Sequence, residues 1–77
     1  MNKQRRKNLE SIIGRLEELK NEFEELIAEE EDYIDNIPEN LQGSERYERA
    51  EEALSNMNDA YDSIDEVIDS IQSAIEV

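Results

Sequence analysis

Apolar residues recur along both halves of the chain at alternating steps of three and four, the spacing of one face of an α-helix. In the first half the positions are Leu9, Ile12, Leu16, Leu19, Phe23, Leu26, Tyr33 and Ile37, with Glu30 as the one charged member. In the second half they are Tyr47, Ala50, Leu54, Met57, Tyr61, Ile64, Ile68, Ile71 and Ile75. Both series follow a heptad repeat, which predicts an all-α protein with two long helices.

The residues between the two series carry the signals that end one helix and begin another. Pro38 disfavours helical geometry in the residue before it, and Gly43 permits a left-handed turn. Ser44 is a preferred N-cap residue. We therefore predict helix 1 over about 8–36, preceded by a basic N-terminal extension over 1–7 that continues the helix as a frayed end. The predicted connector covers about 37–44, and helix 2 covers about 45–76. Because the connector is short, residues 8–77 are predicted to form one antiparallel two-helix hairpin domain.

The apolar stripe of each helix is wider than a single two-helix seam requires. The additional positions are Ile13, Ile27 and Ile34 in helix 1, and Ala53, Ala60, Val67 and Ala74 in helix 2. A lone hairpin would leave them partly exposed, whereas two hairpins closing into a four-helix bundle would cover them, so we expect a homodimer. The residues expected to form the core and the oligomer seam are Ile27, Ile34, Leu54, Met57, Tyr61, Ile64, Ile68 and Ile71.

Negative charge dominates the composition. The 22 Asp and Glu residues outnumber the 8 Lys and Arg residues, which gives a formal net charge of −14. Four of the bases lie within residues 3–7, ahead of the first acid, Glu10, and no base follows Arg49. Such a body cannot neutralise phosphates, so direct nucleic-acid binding is not expected. It can attract the basic surface of a partner protein.

The composition also narrows the possible chemistry. The chain has neither histidine nor cysteine, so it lacks the usual general base, the usual metal ligands and any disulfide. Acidic and amide side chains cluster around the connector at Asp32, Asp35, Asn36, Glu39 and Asn40. They lack the alternating ligands, the glycine and the distal glutamate of a calcium loop, so a solvated loop is the favoured interpretation. We expect no enzyme activity, no cofactor and no metal.

No apolar run approaches the roughly 18 residues needed to cross a bilayer, and the basic start is followed by an amphipathic pattern. This favours a soluble, intracellular protein without membrane association. Two residues have no assigned role. Glu30 either bends out to solvent or pairs with Arg46 or Arg49 to fix the helix register, and Gly14 falls at a solvent-facing helical position where it costs about 1 kcal/mol.

The segment "DYIDNIPENLQGSERYERAEEAL", about a third of the chain, resembles part of a group of small acidic helical proteins encoded by bacteriophages and prophages of Firmicutes. That group has a basic start, a helix, this kind of turn and a second helix rich in Glu, Ala, Ile and Leu. The resemblance implies a phage accessory protein without catalysis, located in the cytoplasm of the bacterial host. The resemblance assigns no functional role to any residue of this chain.

Three classes of function fit these features. The first is an inhibitor that blocks a nucleic-acid-binding host protein, such as a defence enzyme, by presenting carboxylates in place of phosphates. The second is a structural or assembly protein that oligomerises through its heptad seams, and the third is an adaptor that recruits a basic partner. The carboxylates expected to line the outside of helix 2 and to contact the partner are Glu48, Glu52, Asp59, Asp62, Glu66 and Asp69.

Overall fold

Two long helices joined by a tight connector make up the whole molecule. The computed structural model describes residues 1–77, with α1 over Lys3–Asp35, a 3₁₀ turn over Glu39–Leu41 and α2 over Glu45–Glu76. The helices pack against each other in an antiparallel hairpin with extents of 60 × 16 × 12 Å. The predicted all-α hairpin is confirmed. Neither helix combines the length and the apolar character that a membrane span requires.

The basic start continues α1, in agreement with the predicted extension of helix 1, and residues 3–7 form its first turns. Asn2 has extended backbone geometry and its side chain accepts a hydrogen bond from the Arg5 amide at 2.7 Å, so α1 begins at Lys3. Arg6 is half-buried, and its Nη2 donates to the carbonyl of Val77 at 3.2 Å. The two ends of the chain therefore lie together, and one cation of the basic start closes the open end of the hairpin.

Successive right-handed turns reverse the chain in the connector. The amide of Asn36 caps α1 by donating to Asp32, and the amide of Leu41 donates to the Pro38 carbonyl at 2.8 Å. Ser44 caps α2, its hydroxyl accepting from the Tyr47 amide, as the sequence predicts. The left-handed turn expected at Gly43 is absent, because no residue has a positive φ. The 3₁₀ turn supplies the change of direction in its place.

The α2 seam packs as predicted, but α1 is rotated about its axis relative to the predicted seam. Ile68 and Ala50 are buried, and the other α2 seam residues are half-buried. On α1 the widening positions are the buried ones: Ile13, Ile27 and Ile34 are each at most 9% exposed. Four of the positions assigned to the α1 seam face solvent, with exposures of 36% for Ile12, 55% for Leu19, 53% for Leu26 and 39% for Tyr33. The other apolar seam positions are covered: Leu9, Leu16 and Phe23 are half-buried, and Ile37 is buried.

Contacts near the connector and at mid-helix account for the rotation of α1. Near the connector, Ile34 and Ile37 pack together on Ala50, with Tyr47 and Leu54 against them. At mid-helix the rotation brings Lys20 to the interface. Its ammonium forms an ion pair with Asp65 and lies 5.1 Å from the centroid of the Tyr61 ring, so the charge has partners. Three adjacent rows of residues along α1 are largely apolar, and packing against α2 covers only two of these rows.

Candidate functional site

The six carboxylates predicted for partner contact do share one surface of α2. Glu48, Glu52, Asp59, Asp62, Glu66 and Asp69 are all exposed. None of them takes part in an ion pair. At about 100° per residue they fall within a narrow arc on the side of α2 that points away from α1, and the arc runs about 32 Å along the helix. We call these six residues the acidic face.

The ion pairs involve other carboxylates. Lys20 pairs with Asp65 across the interface, and Arg49 pairs with Glu45 within α2. The hydrogen bond to Asp65 raises the pKa of the Lys20 side chain above its ordinary value, with smaller contributions from the charge of Asp65 and from Tyr61. Partial burial of the ammonium opposes this effect. The pair holds the two helices together and leaves the acidic face free.

A second row of carboxylates, which the sequence reasoning missed, runs along α1. Glu10, Glu17, Glu24 and Glu31 recur at seven-residue spacing and are all exposed. Glu10 borders a groove with Gln72, and Glu31 borders another with Asn58 and Tyr61, so the row lies beside α2. The seven-residue repeat of these glutamates is the feature of the sequence that indicates the row. We call these four residues the glutamate row.

An apolar surface remains uncovered on the opposite side of the hairpin. It consists of Ile12, Leu19, Leu26 and Tyr33 from α1 and Ala53, Ala60, Val67 and Ala74 from α2, all of them exposed. Tyr33 and Ala53 line one groove, and Leu9, Val67 and Ala74 line another, which places both sets on one side. We call these eight residues the open stripe. None of the eight residues expected to form the core and the oligomer seam belongs to the open stripe. Ile27, Ile34 and Ile68 are buried within the hairpin, and the other five are half-buried: Leu54, Met57, Tyr61, Ile64 and Ile71.

The connector end of the open stripe carries the basic residues of α2. Arg46 donates from Nε to the hydroxyl of Tyr33 at 2.6 Å and lies over its ring, with 5.4 Å from the guanidinium carbon to the ring centroid. Glu30 borders the same shallow groove but pairs with neither Arg46 nor Arg49. The register-fixing pair considered for Glu30 is therefore absent, because both arginines have other partners.

The carboxylates around the connector do not converge on a point. No group of three or more Asp and Glu side chains has the arrangement that could hold a metal ion. The grooves on the surface are shallow and open. The features with a defined geometry are thus surfaces for contact: the acidic face, the glutamate row and the open stripe.

No protein-family model matches the chain, and neither a curated protein nor a solved structure matches it.

Proposed function

We propose that this protein is a non-enzymatic binding protein whose acidic face occupies the basic groove of a nucleic-acid-binding partner. The observation that carries the proposal is the alignment of six exposed carboxylates, free of ion pairs, on the outer side of α2. A cationic groove shaped for phosphates offers the complementary charge. The resemblance of the connector to phage proteins supports a specific form of this function, inhibition of a host defence or other nucleic-acid-binding protein in the bacterial cytoplasm.

The charge density of the hairpin supports a polyanion-like surface. A net charge of −14 along 60 Å corresponds to about one negative charge per 4 Å. One strand of DNA carries a charge about every 3.4 Å and the duplex about every 1.7 Å. A single hairpin therefore approaches the linear charge of one nucleic-acid strand and falls well short of a duplex.

Replacing Glu48 and Glu52 by Gln and Asp59 and Asp62 by Asn in one variant tests the proposal. Exposed ion pairs contribute on the order of 0.5 kcal/mol each, so the variant should bind about thirtyfold more weakly. Partner capture from a bacterial lysate at low and at high salt identifies the target, and titration of the purified target measures the loss. Binding should weaken as salt rises and should compete with nucleic acid.

The matched control neutralises the glutamate row, which changes the net charge by the same amount on a different surface. Glu10, Glu17, Glu24 and Glu31 are all replaced by Gln. Equal losses in the two variants would mean that only total charge matters, and an undiminished affinity of the α2 variant would contradict the proposal.

A structural or assembly role is the second candidate, and the open stripe is the observation that favours it. The α2 seam is occupied within the hairpin, so assembly would use the open stripe, which includes the exposed members of the α1 seam. An adaptor role would combine the two surfaces. Neutralising the acidic face leaves association through the open stripe intact, so the same variant separates an assembly protein from an inhibitor.

A further inference from the structure

We infer that the open stripe is the contact surface for a second copy of this chain, and that the two hairpins pack antiparallel with α1 against α1 and α2 against α2. This inference does not depend on the proposed function, because it uses a different surface. Three features of the hairpin indicate this pairing: the charge beside the stripe, one arginine without a partner and the available area.

The edge of the open stripe on α2 is uncharged over most of its length. Asn56, Ser63 and Ser70 recur there at seven-residue spacing, on the side of α2 between the stripe and the acidic face. Glu66 of the acidic face borders the groove there with Ser63 and Ser70, so a basic partner would find few carboxylates to pair with along this edge. For a chain with a net charge of −14, it is the surface where a like-charged second copy can approach at the lowest electrostatic cost.

Arg15 indicates the orientation of the second copy. The other three basic residues after residue 7 have partners within the hairpin: Lys20 with Asp65, Arg46 with Tyr33 and Arg49 with Glu45. Arg15 is exposed beside the α1 part of the stripe and forms no ion pair.

The position of Arg15 matches a carboxylate on the same edge of α1. Glu29 lies as far after residue 22 as Arg15 lies before it, and residue 22 is close to the midpoint of the stripe on α1. A twofold axis through that midpoint, perpendicular to α1, sets Arg15 of each copy opposite Glu29 of the other. Two ion pairs result from one symmetry operation, and they flank the axis, where Glu22 of one copy lies opposite Glu22 of the other. The same axis sets the basic residues 3–7 of each copy near the acidic connector end of the other.

The area of the stripe is sufficient for a modest dimer. From residue 12 to residue 33 the stripe is about 32 Å long, and the hairpin is 16 Å wide. Each copy then contributes roughly 500 Å², and the pair buries about 1,000 Å² in total, near the lower limit for a specific interface. With repulsion between two acidic chains, a dissociation constant on the order of micromolar is expected.

Sedimentation equilibrium of the full chain at 50 and 500 mM NaCl tests the pairing. Mass should rise from 9.0 kDa toward twice that value with concentration, and salt should tighten the dimer because it screens like charges. Partner binding through the acidic face should respond to salt in the opposite direction. Replacing Leu19 and Leu26 by Gln should weaken the dimer at least about tenfold. Ala28→Gln, on the side of α1 away from the open stripe, should leave the dimer unchanged. A chain that stays monomeric at high salt would overturn the inference.

The orientation has its own test in a chain that lacks cysteine. Ser63→Cys, near the middle of the stripe on α2, should form a disulfide-linked dimer on oxidation, and Ser55→Cys on the far side of α2 should not. Arg15→Glu should weaken the dimer, and adding Glu29→Arg should restore it at the original net charge of −14. A dimer that fails both the Ser63 crosslink and the charge exchange would refute the antiparallel arrangement.

Discussion

The rotation of α1 can be tested with two adjacent residues. Ile27 is 8% exposed and Leu26 is 53% exposed, although the heptad assignment of α1 reverses their roles. Truncating either residue to Ala removes three carbon atoms. At about 0.8 kcal/mol for each buried carbon, Ile27→Ala loses about 2.4 kcal/mol, and a gain of a few tenths in helix propensity leaves about 2 kcal/mol.

The same reasoning gives a smaller cost for Leu26→Ala. About half of the leucine side chain is already in water, so the loss is about 1 kcal/mol after the gain in helix propensity. Each kcal/mol shifts the melting temperature of a domain of this size by about 4–8 °C. Circular dichroism melts at submicromolar concentration, below the dissociation constant expected for paired hairpins, should therefore place the Ile27 variant about 4–8 °C below the Leu26 variant.

Equal melting temperatures for the two variants, or a larger loss for Leu26→Ala, would refute the rotated packing. Repeating the melts at high concentration distinguishes the core from the open stripe. If Leu26 lies in a contact between copies, its truncation should cost more as concentration rises, and the cost of Ile27→Ala should change less.

Three further predictions concern single side chains. Gly14→Ala should raise stability by about 1 kcal/mol in a thermal melt, because a Cβ there meets no atom within 4 Å. Ser44→Ala should lower stability by about 1 kcal/mol through loss of the α2 cap, while Ser44→Asp, which can still cap, should change the melting temperature little. Because the folded pKa of Lys20 is raised, its stabilising effect is fully present below its unfolded pKa of about 10.4 and is lost as pH rises through the folded value. Lys20→Met should therefore lower the melting temperature at pH 7, and the gap to the parent should close at higher pH.

The helices and their connector could be predicted because their signals are local. Pro38 and Ser44 act on the backbone within a few residues, and the predicted end of α1 and start of α2 lie within one residue of the observed ones. The basic start was expected to be a frayed extension of helix 1, and the Asn2 side chain instead caps the helix at Lys3. The absence of a left-handed residue at Gly43 follows from the 3₁₀ turn, whose hydrogen bonds depend on the whole connector.

The rotation of α1 could not be predicted in the same way. Three neighbouring columns of α1 are largely apolar, and the sequence periodicity fits any adjacent pair of them. The buried column contains Lys20, which argues against it unless Asp65 and Tyr61 are known to lie opposite. That contact joins residues far apart in the chain, so only the packed structure reveals it. The acidic face was predictable because α2 packs on the predicted side.

Antiparallel pairing would bring the two proposals together in one geometry. A twofold axis perpendicular to the helices, lying within the interface, leaves both copies of α2 on the same side of the bundle. The two acidic faces would then lie along one edge and run in opposite directions, as the strands of a duplex do. Two hairpins double the charge along the same length, which gives about one charge per 2 Å and approaches the 1.7 Å of duplex DNA. A partner whose groove binds single-stranded nucleic acid would then bind one hairpin, and a partner whose groove binds a duplex would bind the dimer.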